Sequence, residues 1–273
     1  MMTVLVAIDF SKNSFKTVEK GLAFAEKNGS ELHILHVIEK PWYVLDEAFK
    51  TIQKNLWEKL ETRFPTLQKK CFHCLEGNFI RELAETAENI HASLLVIGYS
   101  KENYPFKEFF VGSTTKNILR NASVPVLVIK NDLPLTPQRI LIPTDFSENS
   151  ATTIRETALW FPDSEIILLH AYVLPFERRL KSYGFNEDDI ADYHAMIKGD
   201  EDEKSEAFIA SLQLREDQVQ VMMRKEPLSP DFFLDLSTLY RIDLIALHTS
   251  GFFSFFAFDL LEEADRDVLV FTF

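Results

Sequence analysis

Two aspartates stand where chemistry could be done. Asp9 and Asp145 each end a short apolar run and precede Phe-Ser, in Val6-Ala7-Ile8-Asp9-Phe10-Ser11 and Ile142-Pro143-Thr144-Asp145-Phe146-Ser147. A carboxylate there can accept a hydrogen bond from a ligand or cap the helix that follows, and the residue pattern leaves both roles open. Gly112-Ser113-Thr114-Thr115 opens a predicted helix, where free backbone N–H groups and the helix dipole favour an anion. Gly98 begins the loop that leads to it. Cys71-Phe72-His73-Cys74 has the residue types of a zinc or thiol redox site. The alternation of a strand puts its two cysteines on opposite faces, so ordinary strand residues and no metal site are expected. His36 and His170 read as hydrogen-bonded structural histidines. His194, near Asp188, Asp189 and Asp192, lies in the charged stretch 186–206, which reads as a solvated helix or loop.

These residues recur because the chain repeats. Val4–Ser14 returns as Ile140–Ser150 at an offset of 136, and Leu32–Val37 returns as Ile166–Ala171. Leu94–Gly98 then matches Leu244–His248, and Val126–Ile129 matches Val268–Phe271. Each segment is a short apolar run rich in β-branched residues, the pattern of strands buried on both faces of a parallel sheet. Helix-period stretches separate them, at 12–28, 41–64, 78–91 and 113–121 in the first copy. Ser11 or Asn13 can cap the first of these helices and Asn78 the third. The expected fold is α/β, two tandem doubly wound domains, each with a five-stranded parallel sheet. The expected boundaries are 1–132 and 138–273, around the proline-containing linker Asn131–Pro137. In such sheets ligands bind beyond the carboxyl ends of the strands, where strand order reverses.

Charge separates the copies. Residues 1–136 carry 17 Lys+Arg against 16 Asp+Glu, a net of +1, whereas residues 137–273 carry 12 against 26, a net of −14. The acidic half opposes polyanions, so no nucleic-acid or anionic-membrane partner is expected. No apolar run is long enough to span a bilayer, the start lacks the marks of a signal peptide, and two cysteines give no disulfide framework. A cytoplasmic location is the expectation.

Several of these features together resemble the universal stress protein family. They are Asp9-Phe10-Ser11 after the first strand, His36-Val37 ending the second, and Glu76-Gly77-Asn78 before the third helix. The long loop closing on Gly112-Ser113 and the last strand, Val124-Pro125-Val126-Leu127-Val128, complete the set. The resemblance implies an adenine nucleotide alpha hydrolase-like fold of strand order 3-2-1-4-5, a stress-regulatory role, and at most slow ATP hydrolysis. The family's ATP-binding branch has Gly-x2-Gly-x9-Gly-Ser/Thr after strand four. By position, Asp9 and Gly98 would contact the ribose, the Val37 backbone the adenine, and Gly112, Ser113 and Thr114 the phosphates of ATP or AMP, with Mg accompanying ATP. Lys101 stands where the second glycine belongs, and Gly112 comes one residue late.

The second copy lacks eight residues of this loop, counted from Gly98–Val126 against His248–Val268, including the Gly-Ser-Thr element. It is expected to bind no nucleotide, with the phenylalanine-rich segment 252–258 either folding inward to fill the vacated cleft or forming an exposed apolar patch for a partner or an apolar ligand. The alternative to nucleotide binding is a ligand-free interaction or scaffold protein. Family members commonly dimerise through their last strands, so Val126–Ile129 and Val268–Phe271 are expected to pair in an intramolecular pseudo-dimer, with further homodimerisation left open.

Overall fold

The computed structural model describes residues 2–39, 46–99, 113–176, 179–250 and 253–273. They divide into two compact units, residues 1–135 with 264–273, and residues 136–263. The first runs β1 (Thr3–Ala7), α1 (Lys12–Lys27), β2 (Glu31–Ile38), α2 (Asp46–Arg63), β3 (Phe72–Glu76), α3 (Phe79–Asn89), β4 (Leu94–Gly98), α4 (Ser113–Asn121) and β5 (Val126–Ile129). The second runs β6 (Arg139–Pro143), α5 (Glu148–Trp160), β7 (Glu165–Ala171), α6 (Glu187–Leu212), β8 (Val219–Arg224), α7 (Pro230–Leu239), β9 (Leu244–His248) and α8 (Phe253–Glu263). The last strand, β10 (Asp267–Phe271), groups with the first unit.

Strand order in the first unit is β3-β2-β1-β4-β5, all parallel, with β10 antiparallel beyond β5. The second unit repeats the inner part of that order as β8-β7-β6-β9. The apolar runs are buried as a helix-covered parallel sheet requires: Val4, Leu5, Val6, Leu94 and Val96 have no exposure, nor do Ile140, Leu141, Ile142, Leu244 and Ile245. Helices begin where their caps dictate. The Ser11 side chain accepts from Ser14 N, Asn78 from Arg81 N, and Ser147 from Ser150 N. Gly21 lets α1 lie tight on β1, since a Cβ there would come 2.6 Å from Val6 Cγ2.

The pairing of β5 with β10 matches Val128 to Val268 and Val126 to Val270. It covers the open edge of β5, as the unpaired backbone of a buried edge strand demands. A buried charge fixes its start. Asp267 Oδ1 accepts from the backbone N–H of Lys130 (2.8 Å) and Asn131 (3.3 Å). Its Oδ2 accepts from Lys20 Nζ on α1 at 2.5 Å, and Lys20 also reaches Asn131 Oδ1 at 3.1 Å. Both side chains are about 5% exposed (6% and 4%). Removing one partner strands the other's charge in the interior, at a typical cost of about 3–5 kcal/mol, whereas replacing both by apolar groups is close to neutral. Asp267→Ala is therefore expected to lose about that much stability in urea unfolding, and a Lys20→Met/Asp267→Leu double variant to recover only the part due to the stranded lysine charge, since the Lys130 and Asn131 N–H groups still lose their acceptor.

Candidate functional site

The carboxyl ends of β2, β1 and β4 lie side by side because β1 runs between the other two. Ala7 pairs with Leu35 on one side and with Ile97 on the other. Continuing those registers by two residues brings Asp9 level with Val37 on one side and with Tyr99, one residue past Gly98, on the other. This is the point where strand order reverses. The chain leaves β1 through a tight turn that Asp9 organises. Its Oδ1 accepts from Ser11 N (2.9 Å) and from the Ser14 hydroxyl, while its own N–H donates to Ser14 Oγ (3.3 Å). Partial burial acts to raise the Asp9 pKa, but the hydrogen bonds from Ser14 and Ser11 outweigh it and hold the carboxyl below its ordinary value. Phe10 takes the left-handed region at φ 60° and sets its ring edge-on to His36 at 4.9 Å. His36 Nδ1–H donates to the Ile8 carbonyl at 2.9 Å, and burial keeps the ring's pKa below the ordinary imidazole value. Asp9 thus braces the turn that leads into the Ser11 cap, through one of its two carboxylate oxygens.

Gly98 ends β4 against α1, and a Cβ there would sit 2.8 Å from Thr17 Oγ1. Beyond it, Lys101 and Gly112 lie outside the described residues. Ser113 and Thr114 open α4, a nine-residue helix whose N-terminus follows that loop.

The second unit repeats the turn. Asp145 Oδ1 accepts from Ser147 N (3.0 Å) and Ser150 Oγ (2.7 Å), and Phe146 again has φ 61°. Partial burial again opposes, and hydrogen bonds from Ser147 and Ser150 again hold the Asp145 carboxyl low. What differs is the residue at the end of the fourth strand. His248 stands where Gly98 does, 1% exposed. Its Nδ1 accepts from the N–H (3.3 Å) and hydroxyl (2.8 Å) of Ser250. The backbone N–H can only donate, and burial lowers the pKa of the ring, so a neutral imidazole carries its proton on Nε2. Nε2–H then donates to Ser150 Oγ at 3.2 Å. The group resembles a serine–histidine–aspartate set, but the histidine donates to the serine and Ser150 has no exposure. It cannot act as a general base on that hydroxyl.

A cleft of about 720 Å³ opens beside this turn, lined by Asp145, Phe146, His170, Tyr172, Glu201 and Phe208 among others. His170 Nδ1–H donates to the Thr144 carbonyl (2.9 Å), and its Nε2 faces Glu201 Oε2 at 3.0 Å. Phe146 stacks on His170 at 4.1 Å. Lys204 bonds to the other Glu201 oxygen at 2.7 Å. Glu201 is thus held between Lys204 and His170 on this wall.

Comparison with known proteins follows the same division. The model of the Universal stress protein family matches residues 1–130. Residues 1–130 thus belong to the universal stress protein family. None of the curated proteins compared with it matches. Among solved structures, a universal stress protein from Archaeoglobus fulgidus DSM 4304 is similar at a TM-score of 0.66 and 18% identity, over 99% of this chain and 96% of that one. A functionally unknown protein from Pseudomonas aeruginosa PAO1 is similar at 0.65 and 15%, over 100% of this chain and 92% of that one. At such identities the likeness is one of fold, and it extends across both copies of the repeat.

Within this universal stress protein domain, Cys71 and Cys74 are both buried and unbonded to each other. Burial pushes the Cys74 thiol up to about 11 and raises that of Cys71, the reverse of a reactive redox cysteine. The 186–206 stretch is helical, within α6, and opens on a capping box between Asn186 and Asp189. Of the phenylalanine-rich segment, Phe256 is buried edge-on to Phe233 of α7 at 5.5 Å. Phe252 and the side chains of Phe253, Ser254 and Phe255 lie outside the described residues. Among the described residues, no helix is long and apolar enough to cross a membrane.

The depressed Asp145 pKa sets a pH dependence. A carboxyl held below its ordinary 3.8 in the fold stabilises the fold fully above that value, and the contribution fades as pH falls through the lower folded-state pKa. The stability gap between wild type and Asp145→Asn is therefore expected to be widest near neutrality and to shrink below pH 4. Urea midpoints measured from pH 7 to pH 3 check this.

Proposed function

We propose that the chain is a cytoplasmic regulatory protein of the universal stress type that binds one adenine nucleotide, ATP or AMP, in its N-terminal half only. The observation that carries this reading is the contrast between Gly98 and His248 at matching strand ends. Gly98 brings no side chain to the end of β4. In the second copy a buried imidazole occupies that place, and its hydrogen bonds to Ser150 and Ser250 lock it there. Asp9 and Gly98 would take the ribose and the Val37 backbone the adenine. Gly112, Ser113 and Thr114 would hold the phosphates at the start of α4, Lys101 would add charge, and Mg2+ would accompany ATP there. The net charge of −14 on residues 137–273 and the shortened loop there support a single site.

No catalytic turnover beyond slow ATP hydrolysis is part of this reading. The one serine–histidine–aspartate grouping found among the described residues is closed to solvent at the serine and carries its proton on the wrong nitrogen.

Protein purified without added nucleotide, then denatured, is expected to release adenine nucleotide on chromatography, and the stripped protein to bind about one ATP by calorimetry. Asp9→Ala is expected to weaken binding about tenfold or more, the scale of losing one hydrogen bond to a charged group. Gly98→Val and Gly112→Glu are expected to abolish it, and Asp145→Ala to leave it unchanged. Absence of both retained nucleotide and binding heat in wild type would leave a ligand-free interaction protein as the function.

A further inference from the structure

Away from the carboxyl ends of the strands, three side chains of different donor type converge where β2 begins. We propose that Glu31, His33 and Cys71 bind one zinc-class divalent cation, with His73 as the positioning residue behind His33. This site lies at the opposite end of β2 from Val37 and does not rest on the nucleotide reading.

The sheet register creates the cluster. Glu31 and His33 are two residues apart on β2, so they share a face. Ile34 pairs with Phe72, which sets Cys71 level with His33 and His73 level with Leu35. His33 Nε2 lies 3.5 Å from Glu31 Oε2, and Cys71 Sγ lies 3.5 Å from Glu31 Oε1. One ligand atom from each of the three residues falls within 4.8 Å of the others. Tetrahedral zinc with bonds of about 2.0–2.3 Å sets its ligand atoms roughly 3.3–3.7 Å apart, so small side-chain rotations complete the fit. Carboxylate, imidazole and thiolate together suit zinc better than magnesium or calcium, which prefer oxygen alone.

The surroundings are those of a metal ligand set. His33 Nδ1 is 2.8 Å from His73 Nε2, and the two rings stack at 5.1 Å and 14°. With a metal on Nε2, His33 keeps its proton on Nδ1 and donates it to His73, the second hydrogen bond that orients metal-bound histidines. Cys71 is 5% exposed and the His33 side chain 13%, while that of Glu31 at 39% leaves an entrance. Two protons or charges now occupy the cation's place. The Cys71 thiol donates to Glu31, and Lys70 Nζ sits 3.2 Å from Glu31 Oε1 on a side chain 68% exposed. An incoming divalent ion displaces the thiol proton to solvent and lets Lys70 swing outward. Three protein ligands leave a fourth position for water.

Cobalt titration of the nucleotide-free full chain tests the proposal, because a cobalt–thiolate bond absorbs in the near ultraviolet and tetrahedral cobalt in the visible. Wild type is expected to bind one Co2+ per chain with both absorptions, and Zn2+ to abolish them. Cys71→Ser is expected to lose the thiolate band, and Cys74→Ser to keep it. His73→Phe is expected to keep the band with affinity lowered about 10–100-fold. Glu31→Gln, at a partly exposed position, is expected to weaken binding at least tenfold and guards against a folding defect in the cysteine variant. No thiolate band in wild type, or a band that survives Cys71→Ser, would overturn the assignment.

Discussion

A strand buried on both faces can present chemistry only at its ends, and here the end of the first strand in each copy is governed by one carboxylate. Asp9 and Asp145 stop the strand, accept hydrogen bonds from two serines, and start the helix that covers the sheet. The residue after each aspartate is forced to a positive φ, a conformation that costs a phenylalanine on the order of 1–3 kcal/mol and persists only where its surroundings hold it. In both copies the ring packs on the histidine near the end of the neighbouring strand and on other phenylalanines. The turn therefore belongs to the fold first, and any ligand chemistry is built on a carboxylate already employed in capping.

This explains how the two copies keep a fold while differing at the ends of their fourth strands. Asp145 and His170 persist in the second copy because the turn needs them, so their presence says nothing about a ligand. The differences fall on positions the turn does not need: glycine or histidine at the end of the fourth strand, and the length of the loop after it. The buried Lys20–Asp267 pair shows the same economy at the other margin of the first unit, where one carboxylate meets two backbone donors and a lysine and so anchors β10 on β5.

Much of the fold was legible in the sequence because its signals are local. Apolar β-branched runs, serine and asparagine caps and the repeat offset locate the strands and most helix boundaries. The grouping of β10 with the first unit was less so, since Val268–Phe271 reads as a buried strand whichever sheet receives it. Lys20 looks like an ordinary surface residue of α1, and only the tertiary placement of Asp267 reveals that it is buried. His248 was visible as the counterpart of Gly98, but the proton order of its hydrogen bonds depends on Ser150 and Ser250 meeting in space. The Glu31–His33–Cys71 cluster was hidden for a related reason. Alternation within Cys71–Cys74 correctly separates the two cysteines, yet it is silent about the neighbouring strand, where the register supplies Cys71 with other partners 38 and 40 residues away.

The claim on which the account turns is that nucleotide, where it binds, binds in the first copy alone. Photolabelling with an azido-adenine analogue of ATP, followed by peptide mapping, tests it most directly. The account predicts label in first-half peptides around Val37 and none in those containing Asp145, Tyr172 or Phe208. Label concentrated in the second-half peptides, and competed away by ATP, would contradict it.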